Sequence, residues 1–393
     1  MVSGEATSGL VLISMKNIDR KTLISQVKRV VIKIGSSVLT NEYGEISEGM
    51  FDEVAREVSS VRSRGVEPVV VSSGAIAAGM KKLRLGEKPR DILMKQAVAA
   101  CGQSTLMWYY EKAFSAFGER VAQILLTHDA LSIRKRFLNA RKTLFTLLEI
   151  GIIPIVNEND TLAVEEIVLG DNDRLAALIT NLVESDLLIL LSDIDGLYNK
   201  DPRNHKDAQL ISVIDEIDKG IEEVAGETIG RTTTGGMKTK IEASKTAAAF
   251  GIPTIIANGK RLNVLSEIFS GKEIGTLLLP AKERLNSRKH WIAFTLKPSG
   301  EIVIDDGAKR AIALLGKSLL PSGIKDIFGD FEIGELVRCV DERGIEVARG
   351  LTSYSSDEIR KIAGAKTSDI EKILGYKYSD EVIHRNDLVV MSR

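Results

Sequence analysis

Short aliphatic and β-branched runs alternate with longer helix-forming segments from Val27 onward, and this alternation limits the possible folds of the 393-residue chain more than any other feature. The runs with strand character are Arg29–Ile34, Pro68–Val71, Val121–Leu125, Ile152–Val156, Leu187–Leu191 and Thr254–Ala257. The segments with helical spacing are Glu48–Arg64, Ile92–Ala116, Phe137–Glu149, Arg174–Glu184 and Lys238–Phe250. Strands that are apolar almost throughout are typical of parallel sheets covered by helices on both faces. The alternation therefore predicts βαβ units and a three-layer α/β/α domain with a mainly parallel sheet.

The pattern changes near Pro280, where alternating strands separated by turn residues replace the βαβ rhythm. These strands are Ile292–Leu296, Glu301–Ile304 and Leu336–Val340. A chain of this length also exceeds the usual size of one core. We therefore expect a loose N-terminal extension over residues 1–26, an α/β domain over 27–283 and a small β-rich domain over 284–393.

Composition excludes several classes of protein. The 53 basic and 54 acidic residues give a net charge of −1, so no whole-chain field attracts nucleic acid or an anionic membrane. The short apolar run Gly9–Met15 cannot span a bilayer, and we expect no membrane association. Cys101 and Cys339 form no CxxC motif and the four histidines are scattered, which argues against a disulfide framework or a protein-ligated metal and fits a reducing cytoplasm.

Two strands end in small residues that could approach a ligand. The first contains Lys33 and runs into Gly35-Ser36-Ser37; the lysine either meets an anion or extends its amine to solvent. The second runs into Ser72-Ser73-Gly74-Ala75, which is either a close backbone approach to a ligand or a tight turn chosen for packing. Ligands of doubly wound sheets bind beyond the carboxyl ends of strands, which favours a shared site.

Two polar clusters follow the fourth strand. They are Asn157-Glu158-Asn159-Asp160-Thr161 and Gly170-Asp171-Asn172-Asp173. Helix caps need fewer carboxylates and amides than these clusters supply, so we interpret them as ligand-binding segments.

Two further loops have the character of nucleotide-binding segments. Ser192-Asp193 begins a polar turn after the fifth strand, which could contact a nucleoside or be a plain turn. The segment Thr232–Lys240 opens a helix with lysines in its first turn, which is unfavourable unless an anion lies among them. The chain contains neither a G-x-x-x-x-G-K-[ST] motif nor the H-R-D and D-F-G motifs of protein kinases.

These segments, in this order, resemble the amino acid kinase family, and within it the members that phosphorylate glutamate. The resemblance covers about residues 27–393, because Gly300–Asp305, Ser318–Ile324 and Gly329–Phe331 look like parts of a PUA domain. Members acting on aspartate, N-acetylglutamate or uridylate share the sheet but lack this combination. The resemblance therefore implies transfer of phosphate from ATP, with Mg²⁺, to the γ-carboxylate of L-glutamate, as the first step of proline biosynthesis.

The resemblance also implies roles for individual residues. Lys33, Lys240 and Asp173 would be catalytic, with Asp173 holding the two lysines in place. Substrate-binding residues would be Ser73, Asp160, Asp171 and Asn172. ATP-binding residues would be Lys33, Ser192, Asp193, Thr234, Gly235, Gly236, Met237, Lys238, Thr239 and Lys240. The family further implies inhibition by proline and a homo-oligomer, either a dimer or a tetramer.

Two alternatives remain open at this point. One is a related kinase acting on aspartate or N-acetylglutamate. The other is an RNA-associated regulator that uses the PUA-like domain, although residues 284–393 carry 18 basic and 17 acidic side chains and so lack a strongly basic balance.

Overall fold

The computed structural model describes residues 20–128, 131, 134–162, 171–227, 236–280 and 298–391. The predicted strand Ile292–Leu296 lies outside these residues, as does the predicted domain boundary at 283/284, which stays a prediction. Among the described residues, no helix combines the length and the apolar composition needed to span a bilayer.

The first part of the chain alternates strands and helices as the sequence predicts. Its strands are β1 (Arg29–Ile34), β2 (Glu67–Ser72), β3 (Val121–Leu126), β4 (Ile153–Glu158), β5 (Leu187–Ser192), β6 (Val213–Ile214), β7 (Thr254–Asn258) and β8 (Thr276–Leu278). Its helices are α1 (Arg20–Ser25), α2 (Ser36–Leu39), α3 (Glu48–Ser63), α4 (Ala75–Leu83), α5 (Ile92–Ser115), α6 (Arg134–Glu149), α7 (Asp171–Leu182), α8 (Lys219–Glu227), α9 (Met237–Ala249) and α10 (Val264–Phe269).

These strands form one sheet in the order β3-β4-β2-β1-β5-β7-β8-β6. All neighbouring pairs are parallel except β7 and β8. The short edge strands β6 and β8 were not predicted, because two or three residues are too few to show an alternating hydrophobic pattern. In this order β1 lies at the centre, so the residues that follow β1, β2, β4 and β5 meet at one edge of the sheet.

Helices cover both faces of the sheet, which confirms the predicted three-layer architecture. Successive strand residues face opposite cores: Val30 and Ile32 pack with α3 and α5 in one cluster, whereas Val31 packs with α7 and α9 in the other. Burial on both faces explains why the strands are apolar without alternation.

Helices α4 and α5 cross at two glycines. A Cβ at Gly79 would lie 1.9 Å from the Val98 carbonyl oxygen, and a Cβ at Gly102 would lie 1.9 Å from the Ala75 carbonyl oxygen. Any side chain at either position would push the helices apart. This contact holds α5 against the turn that follows β2, where Ser73 lies.

The end of the predicted N-terminal extension is ordered. Residues 20–25 form α1, and Arg20, Ile24 and Val27 are buried. The Arg20 guanidinium donates a hydrogen bond to the Ile274 carbonyl oxygen near the end of the domain. Six residues with two buried side chains give too weak a pattern to predict a helix from sequence.

The second part of the chain is β-rich, as predicted. It contains β9 (Gly300–Ile304), α11 (Asp306–Ala313), β10 (Ile324–Phe328), β11 (Leu336–Val340), β12 (Glu346–Leu351), α12 (Ser356–Ile362), α13 (Ile370–Leu374) and β13 (Leu388–Val390). The sheet order is β10-β9-β11-β12-β13, with only the β9–β11 pair parallel. Its buried residues form a core separate from the two cores of the α/β domain.

Candidate active site

Two buried lysines share one buried carboxylate beyond the carboxyl end of β1. Lys33 Nζ lies 2.6 Å from Asp173 Oδ1, and Lys240 Nζ lies 3.3 Å from Asp173 Oδ2. Thr239 Oγ1 also donates to Asp173 Oδ2, at 2.8 Å. We call Lys33, Asp173, Thr239 and Lys240 the lysine cluster. Lys33, Asp173 and Lys240 are only 6%, 0% and 3% exposed, so the cluster buries one more cation than anion.

The protonation states follow from burial and from the neighbouring charges. Burial alone would raise the pKa of Asp173, but the charges of Lys33 and Lys240 outweigh it and lower that pKa to about 2. Burial lowers the pKa of Lys33, while Asp173 opposes this shift. A buried excess of positive charge is costly unless an anion compensates it. The cluster is therefore suited to bind a strongly anionic ligand such as a phosphate chain.

Three elements bring this cluster together. Lys33 is the penultimate residue of β1, Asp173 lies in the first turn of α7, and Thr239 and Lys240 lie in the first turn of α9. The N-termini of α7 and α9 therefore point toward the same edge of the sheet, and helix N-termini attract anions.

The turn after β1 leaves space beside Lys33. The Gly35 N–H donates to the Leu191 carbonyl oxygen at 3.0 Å, which ties the turn to the end of β5. A Cβ at Gly35 would lie 3.2 Å from that oxygen and 3.8 Å from Lys33 Nζ. A larger residue would therefore fill the space next to the lysine amine.

A second group of polar side chains lies at the ends of β2 and β4. Asn172 Nδ2 donates to Ser73 Oγ at 3.2 Å, and Asn157 Nδ2 donates to Gln103 Oε1 at 3.1 Å. We call Ser73, Gln103, Asn157 and Asn172 the amide cluster. The structure thus brings together the predicted residues Ser73 and Asn172. The predicted Asp160 follows β4 two residues beyond its end and is partly exposed.

The amide cluster retains unused hydrogen-bonding capacity. Gln103 Nε2 and Asn172 Oδ1 are buried, and neither atom finds a hydrogen-bond partner in the part of the chain that the structure describes. A buried polar atom without a partner is unfavourable, so such atoms commonly mark a place where a ligand binds.

The structure describes some of the predicted nucleotide-binding residues, and these differ in burial. Ser192 is buried and donates to Asp193 Oδ1 at 3.2 Å, and Asp193 is close enough to Lys33 to raise its pKa slightly against the effect of burial. On α9, Met237 is buried and Lys238 is exposed, and the Gly236 carbonyl oxygen lies 2.9 Å from Thr239 Oγ1. Thr234 and Gly235 lie outside the described residues, as does the side chain of Asp171.

Gln103 is the member of these clusters that the sequence did not indicate. It lies in the middle of α5, 31 residues after the last residue of β2 and outside every motif. The only signal was a polar amide directly after the small residues Ala99-Ala100-Cys101-Gly102. Helical position alone could not show that this side chain reaches β4.

A separate cavity of about 650 Å³ lies in the β-rich part of the chain. Its lining includes the basic side chains Lys317 and Arg385, the acidic side chains Asp305 and Glu381, and His384. The lysine cluster, with two buried lysines on one buried carboxylate, remains the candidate active site. No group of three or more His, Cys, Asp and Glu side chains among the described residues could hold a metal ion.

Comparison with known families decides the identity of this architecture. The model of the amino acid kinase family matches residues 28–258, well over half of the chain. This chain belongs to the amino acid kinase family. The PUA domain model matches residues 300–374, in agreement with the β-rich character of that region.

Curated relatives cover nearly the whole chain. Glutamate 5-kinase from Geobacter sulfurreducens is 53% identical over 372 residues, which are 95% of this chain and 100% of that protein. Glutamate 5-kinase from Caldanaerobacter subterraneus subsp. tengcongensis is 51% identical over 93% of this chain and 98% of that protein. UMP kinase from Bacillus anthracis, a solved structure, covers 64% of this chain and 96% of its own at 16% identity and a TM-score of 0.45, too low to support an inference.

Proposed function

We propose that this member of the amino acid kinase family transfers the γ-phosphoryl group of ATP to the γ-carboxylate of L-glutamate, giving L-glutamyl 5-phosphate and ADP. The observation that carries the proposal is the lysine cluster, in which one buried carboxylate holds two buried ammonium groups at the edge of the sheet. The near full-length similarity to proteins named glutamate 5-kinase supports glutamate as the acceptor.

The chain's own residues would act mainly by charge and position. A carboxylate with an ordinary pKa of about 4.3 is ionised at neutral pH, so the acceptor requires no general base. Lys33 and Lys240 stabilise negative charge on the transferred group, and Asp173 fixes both amines without accepting a proton, because its own pKa is about 2. Loss of one such charge contact commonly lowers the rate by about 10²–10³-fold.

Mg²⁺ is proposed to arrive with the nucleotide. Among the described residues no metal-ligating group of three side chains exists, and the two lysines at the site repel a cation. We therefore assign Mg²⁺ to the phosphates of MgATP, where it would neutralise phosphate charge.

The remaining predicted residues keep their proposed roles. Ser73, Asp160, Asp171 and Asn172 would bind glutamate. Ser192 and Asp193, together with residues 234–240, would bind ATP. The hydrogen bond between Ser73 and Asn172 supports the first group, and the proximity of Asp193 to Lys33 supports the second.

Residues 27–283 are proposed to form the catalytic domain and residues 284–393 a PUA-like domain. The separate core of the second region and the two family matches support this division. The division places the described lysine and amide clusters entirely in the first domain. The homo-oligomer and the cytoplasmic location stay predictions.

Proline is proposed to inhibit by occupying the acceptor site. It shares an α-carboxylate and a cationic nitrogen with glutamate but has no γ-carboxylate to phosphorylate. Proline inhibition should therefore weaken as the glutamate concentration rises. Inhibition that is independent of glutamate would place proline at another site.

The test of the proposed function is a phosphoryl-transfer assay with a panel of acceptors. ADP release and acyl phosphate trapping by hydroxylamine are measured with L-glutamate, L-aspartate and N-acetyl-L-glutamate. We expect both signals with glutamate only. Transfer to aspartate or N-acetylglutamate in preference would establish the related kinase instead, and no transfer with any of the three would refute the assignment.

A further inference from the structure

The orientation of Gln103 is fixed by a chain of hydrogen bonds that ends at its free N–H group. The backbone N–H of Glu158 donates to Asn157 Oδ1 at 2.9 Å, which makes the Asn157 amide nitrogen the donor toward α5. That nitrogen donates to Gln103 Oε1 at 3.1 Å. Because Oε1 is the acceptor in this contact, Gln103 Nε2 must be the atom left without a partner among the described residues.

Asn172 provides the complementary hydrogen-bonding group, an acceptor. Its Nδ2 donates to Ser73 Oγ, and its Oδ1 is buried without a partner in the described part of the chain. Among the described residues, the amide cluster therefore has a donor atom without a partner, Gln103 Nε2, and an acceptor atom without a partner, Asn172 Oδ1. An amino acid presents the matching pair, since its α-carboxylate accepts and its α-ammonium donates.

The position of Gln103 determines which carboxylate of the acceptor it can reach. Its partner Asn157 is on β4, and β2 lies between β4 and β1, the strand that carries Lys33. With neighbouring strands about 4.8 Å apart, the end of β4 is roughly 10 Å from the end of β1. The reacting γ-carboxylate must face the lysine cluster, so the carboxylate near β4 is the distant one.

We propose that Gln103 binds the α-carboxylate of the acceptor through its Nε2–H group, and that this contact makes an intact α-carboxylate a requirement of the substrate. Asn172 Oδ1 accepts from the neighbouring α-ammonium. The proposal rests on the proposed function, because it assumes an α-amino acid acceptor phosphorylated at its far carboxylate. It assigns a substrate-binding role to a residue of α5, a helix that carries none of the predicted site residues.

The test compares L-glutamate with L-glutamate α-amide, in which an amide replaces only the α-carboxylate. The quantity measured is the ratio of kcat/KM for the two acceptors, in the wild type and in the variants Gln103→Leu and Gln103→Glu. This ratio is independent of the fraction of each preparation that is folded, because both acceptors report on the same active molecules.

We expect the wild type to prefer glutamate strongly. Gln103→Leu removes the donor and should reduce the preference by about 10- to 100-fold, the usual range for a hydrogen bond to a charged group. Gln103→Glu preserves the acceptor for Asn157 but places a carboxylate where the donor was. It should reduce the preference further, because it repels the α-carboxylate and accepts from the N–H of the α-amide.

Ser104→Ala is the matched control on the same helix. Ser104 is exposed and contacts Lys82 and the Cys101 carbonyl, away from the amide cluster. The ratio of kcat/KM for the two acceptors in Ser104→Ala should therefore equal that of the wild type. A ratio that stays within about threefold of wild type in both Gln103 variants would overturn the proposal, since this is less than the smallest loss expected for a charged hydrogen bond. Absence of any glutamate-dependent transfer in the wild type would instead refute the proposed function on which it rests.

Discussion

The lysine cluster and the amide cluster lie at the same edge of one sheet, but they differ in whether their buried polar atoms have partners within the protein. In the lysine cluster every charge has a partner within the protein, since Asp173 contacts both ammonium groups and Thr239. In the amide cluster Gln103 and Asn172 each retain a buried atom without a partner among the described residues. An unpaired buried charge costs far more than an unpaired buried amide, so each lysine contacts Asp173 and only the net positive charge of the cluster is left for an anion, whereas single amide atoms are left without a partner for a ligand.

This difference predicts a division of labour. Under the proposed function the lysine cluster faces the transferred phosphoryl group, so its paired charges should matter most when charge shifts during the reaction and should control kcat. Neutral amides with unpaired hydrogen-bonding atoms should control binding of the acceptor, and therefore the glutamate KM. The predictions below test this division, beginning with the largest expected effect.

Replacing Asp173 by alanine should damage both stability and activity. The change leaves two buried lysines without their shared carboxylate, and breaking a buried ion pair in this way costs about 3–5 kcal/mol of unfolding free energy. Urea unfolding and steady-state kinetics check the two effects together. Glu57→Gln is the matched control, because Glu57 is a buried carboxylate that pairs with Arg56 and accepts from Leu265 and Ser266 outside the site. It should lose stability but keep its turnover in the folded fraction, and a loss of turnover there would undermine the comparison.

Lys33→Met and Lys240→Met should separate activity from stability. Each leaves one lysine paired with Asp173, so the unfolding free energy should stay within about 1 kcal/mol of wild type. Each should lower kcat by about 10²–10³-fold with little change in the glutamate KM. Lys245→Met, farther along α9 and half exposed, is the control and should retain wild-type kcat. A lysine variant with kcat within about threefold of wild type would remove that residue from the catalytic assignment, because a lost charge contact costs far more.

The stability contributed by Asp173 should depend on pH in acid solution. Its pKa of about 2 lies below the ordinary value of 3.8, so its ionised form is favoured in the folded state. The resulting stabilisation is complete above about pH 4 and declines as the pH falls toward 2. The difference in unfolding free energy between wild type and Asp173→Asn should therefore be constant above pH 4 and shrink below it. A constant difference down to pH 2 would show that Asp173 is not held ionised by the lysines.

Asn172→Ala should have the smallest effect and a different kinetic signature. Loss of its acceptor atom and of its hydrogen bond to Ser73 should raise the glutamate KM by roughly tenfold, about 1.4 kcal/mol, and change kcat and the ATP KM much less. Steady-state kinetics with each substrate varied in turn provides the measurement. A drop in kcat as large as that of Lys33→Met would mean that the two clusters do not divide their roles.

The sequence by itself determined the parallel α/β sheet, because apolar strands and helical segments are local patterns that can be read within about ten residues. It also indicated Lys33 and the polar segment around Asp173, since a lysine in an apolar strand and paired Asp-Asn clusters are locally unusual. Local patterns did not reveal the ordered helix α1 or the edge strands β6 and β8, because each has too few residues to show a period.

Only the tertiary structure decided which of these residues act together. Lys33, Asp173 and Lys240 are far apart in the chain, and they meet because the central strand β1 ends where α7 and α9 begin. Gln103 joins the amide cluster because Gly79 and Gly102 let α4 and α5 pack without intervening side chains, which brings Gln103 to Asn157 at the end of β4. Such contacts depend on the packing of distant segments, and no periodicity or motif within the chain encodes them.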